Sequence, residues 1–321
     1  MMVHFILSGE TLESISEEIR LENPKYLKEY HNQRCARVDY IHDRLVPGKR
    51  LLIPGIKEII EYNSRNDAPF KAVRLNPELI FNPEGLDDKY FVEIIESAER
   101  DGENIGRNFL TYAARVKWIR QINNQHLFEL SKTDFFNMDG SKMADLAREC
   151  MNFIYPMKIY TNLQGEVMRI ELWDEIIKGF KHNKEKLFDL FPDKYAAIYI
   201  EEFEFIVLDR ELFDRRMKED SFIKTYFAAI RNKFINGTSH FDQTIGEENL
   251  PIQVQQKVLD EQYSDEIVLS QSLISLQKDI MYSGTYSLYT ENSVISKAEI
   301  DYFISRYNVQ NKTKIIIKHL P

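Results

Sequence analysis

Val3-His4-Phe5-Ile6-Leu7-Ser8-Gly9-Glu10-Thr11-Leu12 near the start and Val46-Pro47-Gly48-Lys49-Arg50-Leu51-Leu52-Ile53-Pro54 some thirty-five residues on bracket a small unit whose reading sets the rest. The first run is strand-like up to Leu7 and breaks at Ser8-Gly9. After Thr11, the residues Leu12, Ile15 and Ile19 fall at helical spacing, with Leu21 close behind and Glu13, Glu17 and Glu18 on the opposite face. Thr11 suits an N-cap, and the carboxylates behind it suit the positive end of a helix dipole. Asn23-Pro24 ends that helix and starts another, whose apolar face is Tyr26, Leu27 and Tyr30. Pro47-Gly48 is a turn and Leu51-Leu52-Ile53 a short closing strand, so the order is strand, helix, helix, strand.

Working outward, residues 56–85 predict a linker. Asn63-Ser64-Arg65-Asn66-Asp67-Ala68-Pro69, Asn76-Pro77 and Asn82-Pro83-Glu84-Gly85 are polar and turn-forming, with a little extended chain at Ala72-Val73-Arg74. Residues 86–321 predict an α+β domain, an antiparallel sheet packed on helices. Asn123-Asn124 is a two-residue hairpin turn between alternating runs, and 135–140 carries another turn. Periodicity predicts helices over 142–153, over 172–191 with an interruption near Gly179 and over 222–234, while 195–208 fits a helix or a strand, the helix favoured by the charged helical pattern that follows through Lys218. Strands are expected either side of a turn at 162–165, and again over 285–289 and 314–318.

The chain has 321 residues, 43% hydrophobic and 29% charged, which fits two globular domains of ordinary composition. Its formal charge, 42 − 51 = −9, offers no basic excess to offset phosphate repulsion, so nucleic acid is not an expected partner. No apolar run approaches bilayer length, and membrane insertion is not expected. Cys35 and Cys150, the two cysteines, lie far apart and predict reduced thiols rather than a disulfide. The start of the chain lacks a basic n-region and an apolar h-region, which points to a cytoplasmic protein.

Candidate chemistry is sparse, and no catalytic residue, metal site or cofactor is expected. Cys150 stands in an amphipathic helical stretch, a place for a structural rather than a nucleophilic thiol. His4, His31, Cys35 and His42 form the densest His/Cys group, but their spacing matches no standard zinc pattern. The acidic runs Glu201-Glu202-Phe203-Glu204 and 209–214 suit a solvated face better than a glycosidase pair. The 12 glycines include no phosphate-binding arrangement. Trp118, Trp173 and the apolar set Phe222, Ile223, Tyr226, Phe227, Ile230 and Phe234 read as core.

The opening unit resembles the LysM module, on Gly9-Glu10-Thr11-Leu12, Asn32 and the closing run from Pro47 to Pro54. That resemblance implies a βααβ fold over residues 1–55 and a shallow groove for N-acetylglucosamine polymers such as peptidoglycan or chitin. Carried over, the groove residues are Ser8, Gly9, Glu10, Thr11, Leu12, Asn32 and Pro47, with backbone groups contributing much of the contact. The stretch from Asn32 to Val46 is longer and more charged than the family's usual connection. The whole chain loosely resembles LysM-containing proteins associated with type VI-like contractile secretion systems, including at Tyr30-His31-Asn32 and Tyr155-Pro156. A non-catalytic adaptor with a protein partner is the role this implies. The alternatives are a receptor for the glycan itself and a cell-wall hydrolase.

Overall fold

A computed structural model describes residues 2–42, 44–137, 140–246, 248–259, 265–275 and 278–321. The turn expected over 135–140 lies partly outside these, at Met138 and Asp139. The fold is α+β, with several helices and one large antiparallel sheet. The chain divides into two compact units, one of Met1–Pro77 with Phe234–Gly237, the other of Glu78–Lys233 with Thr238–Pro321. No helix among the described residues is long and apolar enough to cross a membrane.

In the smaller unit, Met2–Phe5 (β1) pairs antiparallel with Arg50–Ile53 (β2), flanking helices Leu12–Glu18 (α1) and Pro24–Arg34 (α2). Period-two alternation sends Ile6, Leu51 and Ile53 inward onto Ile15 and Leu27, while Val3, Phe5 and Leu7 stay exposed. Thr11 caps α1 in a full capping box with Ser14, and Asn23 caps α2 ahead of Pro24. His31 is buried between the layers. Its Nδ1 accepts from the Leu52 amide at 3.0 Å, which makes Nε2 the protonated nitrogen, donating to the Asp39 carbonyl at 2.9 Å.

Residues 56–85 are more than a linker. Ile56–Asn63 forms a helix (α3) that places Ile59 and Tyr62 against the same core. Burying an isoleucine stabilises by roughly 1.5–3 kcal/mol, enough to fasten the segment to the unit. Asn63 ties its end to the turn between α1 and α2, accepting from the Glu22 amide and donating to the Arg20 carbonyl, each at 2.9 Å. Tyr62 stacks on Tyr26 at 4.6 Å with Arg65 over both rings. Residues 72–74, expected to be extended, are part of a turn held by amide bonds from Leu75 and Asn76 to Ala72. The polar composition of 63–69 marks these turns and conceals the helix before them.

Among the described residues the larger unit is built on eleven strands. In chain order they are Asp87–Arg100 (β3), Glu103–Ile122 (β4), Gln125–Asn137 (β5), Met157–Thr161 (β6), Val167–Leu172 (β7), Thr238–Ile245 (β8), Leu250–Val258 (β9), Glu266–Leu273 (β10), Ile280–Tyr289 (β11), Ile295–Arg306 (β12) and Val309–Leu320 (β13). Their order across the sheet is β7-β6-β5-β4-β3-β13-β12-β11-β10-β9-β8, antiparallel throughout. The β3–β13 pairing closes a gap of some two hundred residues and joins two meanders into one sheet. Helices Lys142–Asn152 (α4), Asp174–Leu190 (α5), Lys194–Leu208 (α6), Arg210–Met217 (α7) and Ser221–Tyr226 (α8) all fall between β5 and β8. Tyr90, Val92 and Ile94 on β3, Tyr112, Ala114 and Val116 on β4, and Ile315 and Ile317 on β13 form the buried face. Helices α4, α5 and α6 share a second core around Leu146, Cys150, Leu187 and Ile200.

Two helix expectations change. The 172–191 helix runs unbroken through Gly179. The 222–234 helix stops at Tyr226, although Phe227, Ile230 and Phe234 remain buried. Sheet side chains take over the backbone hydrogen bonding: Gln256 donates to the Ile230 carbonyl at 2.8 Å, so that group needs no helical partner. Arg231 is buried beside it, over the Phe81 ring at 4.1 Å and donating to the Ser293 carbonyl at 2.9 Å. Burial lowers its pKa to about 10.

Candidate functional site

The residues expected to line a groove in the smaller unit fall into two sets. Beyond β1 and β2 the pairing continues, with the Ile6 amide donating to Lys49 at 3.0 Å and the Gly48 amide to Ile6 at 2.8 Å. There the Gly48 amide, not that of Lys49, bonds Ile6, so the ladder ends in a bulge with Gly48 and Lys49 both opposite Ile6. The Ser8–Thr11 loop and the 46–49 turn therefore meet at one end of the two-stranded ribbon. Gly9 and Gly48 both take positive φ, +90° and +84°, and a Cβ at either would meet nothing within 4 Å. The backbone at this corner is open.

The remaining groove candidates have local duties. The Glu10 carboxylate accepts from the Leu7 amide at 2.6 Å and from His4 Nε2 at 2.8 Å. The bond from His4, and then that from Leu7, hold its pKa below the usual carboxylate range. Thr11 is spent as the N-cap, and Leu12 packs on the core. Asn32 sits apart on α2, where its side chain exchanges two hydrogen bonds with the Ile41 backbone, at 2.9 and 3.0 Å. It braces the long second loop instead of facing the corner. That loop is further held by Lys49, which donates to the Val38 carbonyl at 3.0 Å and pairs with Asp39 at 3.5 Å. The His/Cys group does not converge: among the described residues no three potential ligands gather, and both His31 nitrogens are engaged.

Cys150 is fully buried on α4. Burial, with a contribution from Glu149, pushes its thiol up to about 12, far from the thiolate that a nucleophile needs. Trp118 donates to His126 Nδ1 at 3.3 Å within the sheet. Trp173 lies at the start of α5 with the Lys158 ammonium 4.8 Å from its ring.

The larger unit contains a trough that none of the motifs above included. The buried face of β3 continues past Ile94 to Glu96 and Ala98, where burial falls off and a trough opens. Three adjoining chambers of about 590, 370 and 460 Å³ all border Glu96. The first has apolar walls from Leu110, Phe135 and Met151, with α4 along one side. The second is lined mainly by polar side chains, among them Gln243, Thr244 and Thr225. The third carries Asn311, Thr313 and Arg107.

At the inner wall of the apolar chamber lies Lys132, its side chain only 2% exposed. Its ammonium donates to Asp220 at 2.5 Å and to the Tyr112 hydroxyl at 3.2 Å, and lies 4.5 Å from the Tyr112 ring centre. Burial lowers the lysine pKa, and Asp220 opposes that shift. Asp220 also caps α8, accepting from the Ile223 amide at 3.1 Å. One signal was available in the sequence: Phe128, Leu130 and Lys132 occupy successive inward positions of β5, so a charge stands at a core register. Glu96 and Asp220 gave no such sign, because their neighbours are distant in the chain.

No protein-family model matches the chain, and a search of curated proteins finds no match. Among solved structures it is similar to lipovitellin, from a study of lipid–protein interactions in that protein, at 11% identity and a TM-score of 0.39. That overlap covers 73% of this chain and 25% of the lipovitellin chain, so this chain spans about a quarter of that relative's length. A DUF1329 family protein from Desulfovibrio piger overlaps 79% of this chain and 91% of its own, at 9% identity and a TM-score of 0.19. A LolA superfamily protein from Nitrosomonas europaea overlaps 80% and 94%, at 9% identity and a TM-score of 0.18. Identities and scores this low carry no function to the present chain.

Proposed function

We propose that the N-terminal segment is a LysM-like module and that the chain is a non-catalytic adaptor or assembly protein, of the kind used in contractile secretion machinery. One observation carries this: the loop after β1 and the turn before β2 meet in an open corner, and exposed apolar side chains flank it. Phe5, Leu7 and Val46 are 60%, 62% and 52% exposed. A polar glycan is read chiefly through hydrogen bonds, whereas contiguous apolar side chains at a surface suit a protein partner. The engaged Glu10 and Asn32 side chains also leave fewer polar groups for sugar.

The open glycine backbone favours a second reading, direct binding of N-acetylglucosamine polymers. Calorimetry with chitin oligomers separates the two. The adaptor reading expects no heat at millimolar ligand, together with a Leu7-placed photocrosslinker that captures one protein partner in native cells, lost in Phe5→Asp. Saturable heat that Gly9→Val abolishes would replace it with the glycan reading. Release of soluble fragments from purified sacculi would overturn both in favour of a hydrolase.

A further inference from the structure

We infer that β8, the last strand of the large sheet, is a docking edge for a second copy of this chain, which adds its own β8 antiparallel across a two-fold axis. The inference goes beyond the adaptor reading and does not rest on it, since β8 belongs to the larger unit.

The two ends of the sheet differ. At β7 outward backbone groups are already taken: Asp214 accepts from the Ile170 amide at 2.7 Å, and Lys218 donates to the Met168 carbonyl at 2.8 Å. At β8 the parity of the ladder decides which groups point out. The Ile274 amide donates to the Gln253 carbonyl at 3.0 Å and the Leu259 amide to the Val268 carbonyl at 2.8 Å, so the odd-numbered residues of β9 turn toward β10. The even-numbered residues of β9 therefore turn toward β8 and bond Ser239, Phe241, Gln243 and Ile245. Pro251 fits that parity, for it lies opposite Thr244, where β8 asks for no N–H. The amides and carbonyls of His240, Asp242 and Thr244 thus point off the sheet, and among the described residues no group hydrogen-bonds to them. β8 pairs without a bulge and carries neither proline nor lysine, the usual guards of an edge.

The side chains select the strand that fits. A two-fold axis centred on Phe241 sets His240 opposite Asp242 of the second copy, and Asp242 opposite its His240, each as a hydrogen-bonded pair. Both side chains are exposed on one face of β8. The Gln255 amide, which can only donate, meets His240 Nε2 at 3.2 Å, so Nδ1 carries the proton and can donate to the facing carboxylate. Asp242 faces Gln253 across the ladder, and the lysine of β9, Lys257, stands opposite Thr238, so among the described residues no ion pair includes Asp242. On the other face the half-buried Phe241 meets its own copy in a non-hydrogen-bonded pair, where side chains approach most closely. The adjacent registers of the same parity set His240 against His240 or Asp242 against Asp242, and neither pairs opposite partners. Charge complementarity selects this chain's own strand and a single register.

Sedimentation equilibrium of the full chain is expected to show a reversible monomer–dimer equilibrium. Asp242→Lys, which sets an ammonium against His240, should weaken it at least about tenfold. The swapped variant, His240→Asp with Asp242→His, should restore it. Both positions are exposed, so the far-ultraviolet dichroism should not change. In a Cys35→Ser background, Phe241→Cys should oxidise to a covalent dimer faster than His240→Cys or Asp242→Cys, because only residue 241 faces itself. A chain that stays monomeric up to millimolar concentration overturns the inference. So does a dimer indifferent to Asp242→Lys, one the swap does not restore, or cross-linking that is fastest at 240 or 242.

Discussion

Removing Asp220 should cost far more than removing Lys132, although the two form one ion pair. In Asp220→Ala the Lys132 ammonium is left 2% exposed, with only the Tyr112 hydroxyl as a hydrogen-bond partner. An uncompensated buried charge of this kind costs about 3–5 kcal/mol. Loss of the cap on α8 adds about 1 kcal/mol. In Lys132→Met the carboxylate left behind is 22% exposed and keeps its bond to the Ile223 amide, while methionine restores the buried volume. That change should cost less than about 1 kcal/mol, because a buried pair replaced by an apolar isostere is often neutral. Urea denaturation of the full chain, followed by a probe in the sheet, measures both; Asp220→Ala should lower the transition by about 8–24 °C in a thermal scan, at about 2–4 °C per kcal/mol.

The pH dependence provides a second readout. The folded-state pKa of Lys132 lies below its unfolded value, and loss of Asp220 removes the interactions that hold it up. Between the two values the unfolded state binds more protons, so stability rises with pH. Asp220→Ala should therefore recover stability relative to wild type as pH climbs from neutral toward the unfolded lysine pKa. Equal destabilisation by the two substitutions, or a variant that weakens further as pH rises, would refute the account of Lys132 as a buried charge kept by its partner.

Two further outcomes follow from the core and the thiols. Gly284→Ala on β11 should destabilise by about 1–3 kcal/mol, because the new Cβ would stand 2.8 Å from Gln271 Oε1 and from Ile300 Cδ1. Gln271 has little freedom to move, since it accepts from Tyr282 at 2.7 Å and donates to Gln256 at 2.8 Å; a neutral equilibrium ΔΔG would show that this buried chain yields. Cys150, pushed up to about 12, should resist a disulfide reagent at pH 8 in the native protein and react fully in guanidinium. Prompt native labelling at that position, read by peptide mass, would contradict its burial.

The hairpin at 122–125 and the strands around 162–165 were legible because alternation and turn chemistry act over a few residues. The strands after residue 238 were largely missed. In β9 and β10 the inward positions include Gln256 and Gln271, which break the apolar alternation because they hydrogen-bond to one another inside the core. Helix α3 was hidden by its short length and polar surroundings, and only its contacts with Ile15 and Leu27 in the same core reveal its place.

Local patterning alone determined the βααβ order of the first fifty-odd residues, the caps at Thr11 and Asn23, and an α+β class for the remainder. Each rests on interactions between residues close in sequence. Tertiary structure alone decided that β3 and β13 join the two meanders, that Ile6 meets the 46–49 turn while Asn32 braces the second loop, and that Glu96, Lys132 and Asp220 gather around one trough. Those pairings span tens to hundreds of residues, and long-range register is set by how faces bury together, not by any short stretch of chain.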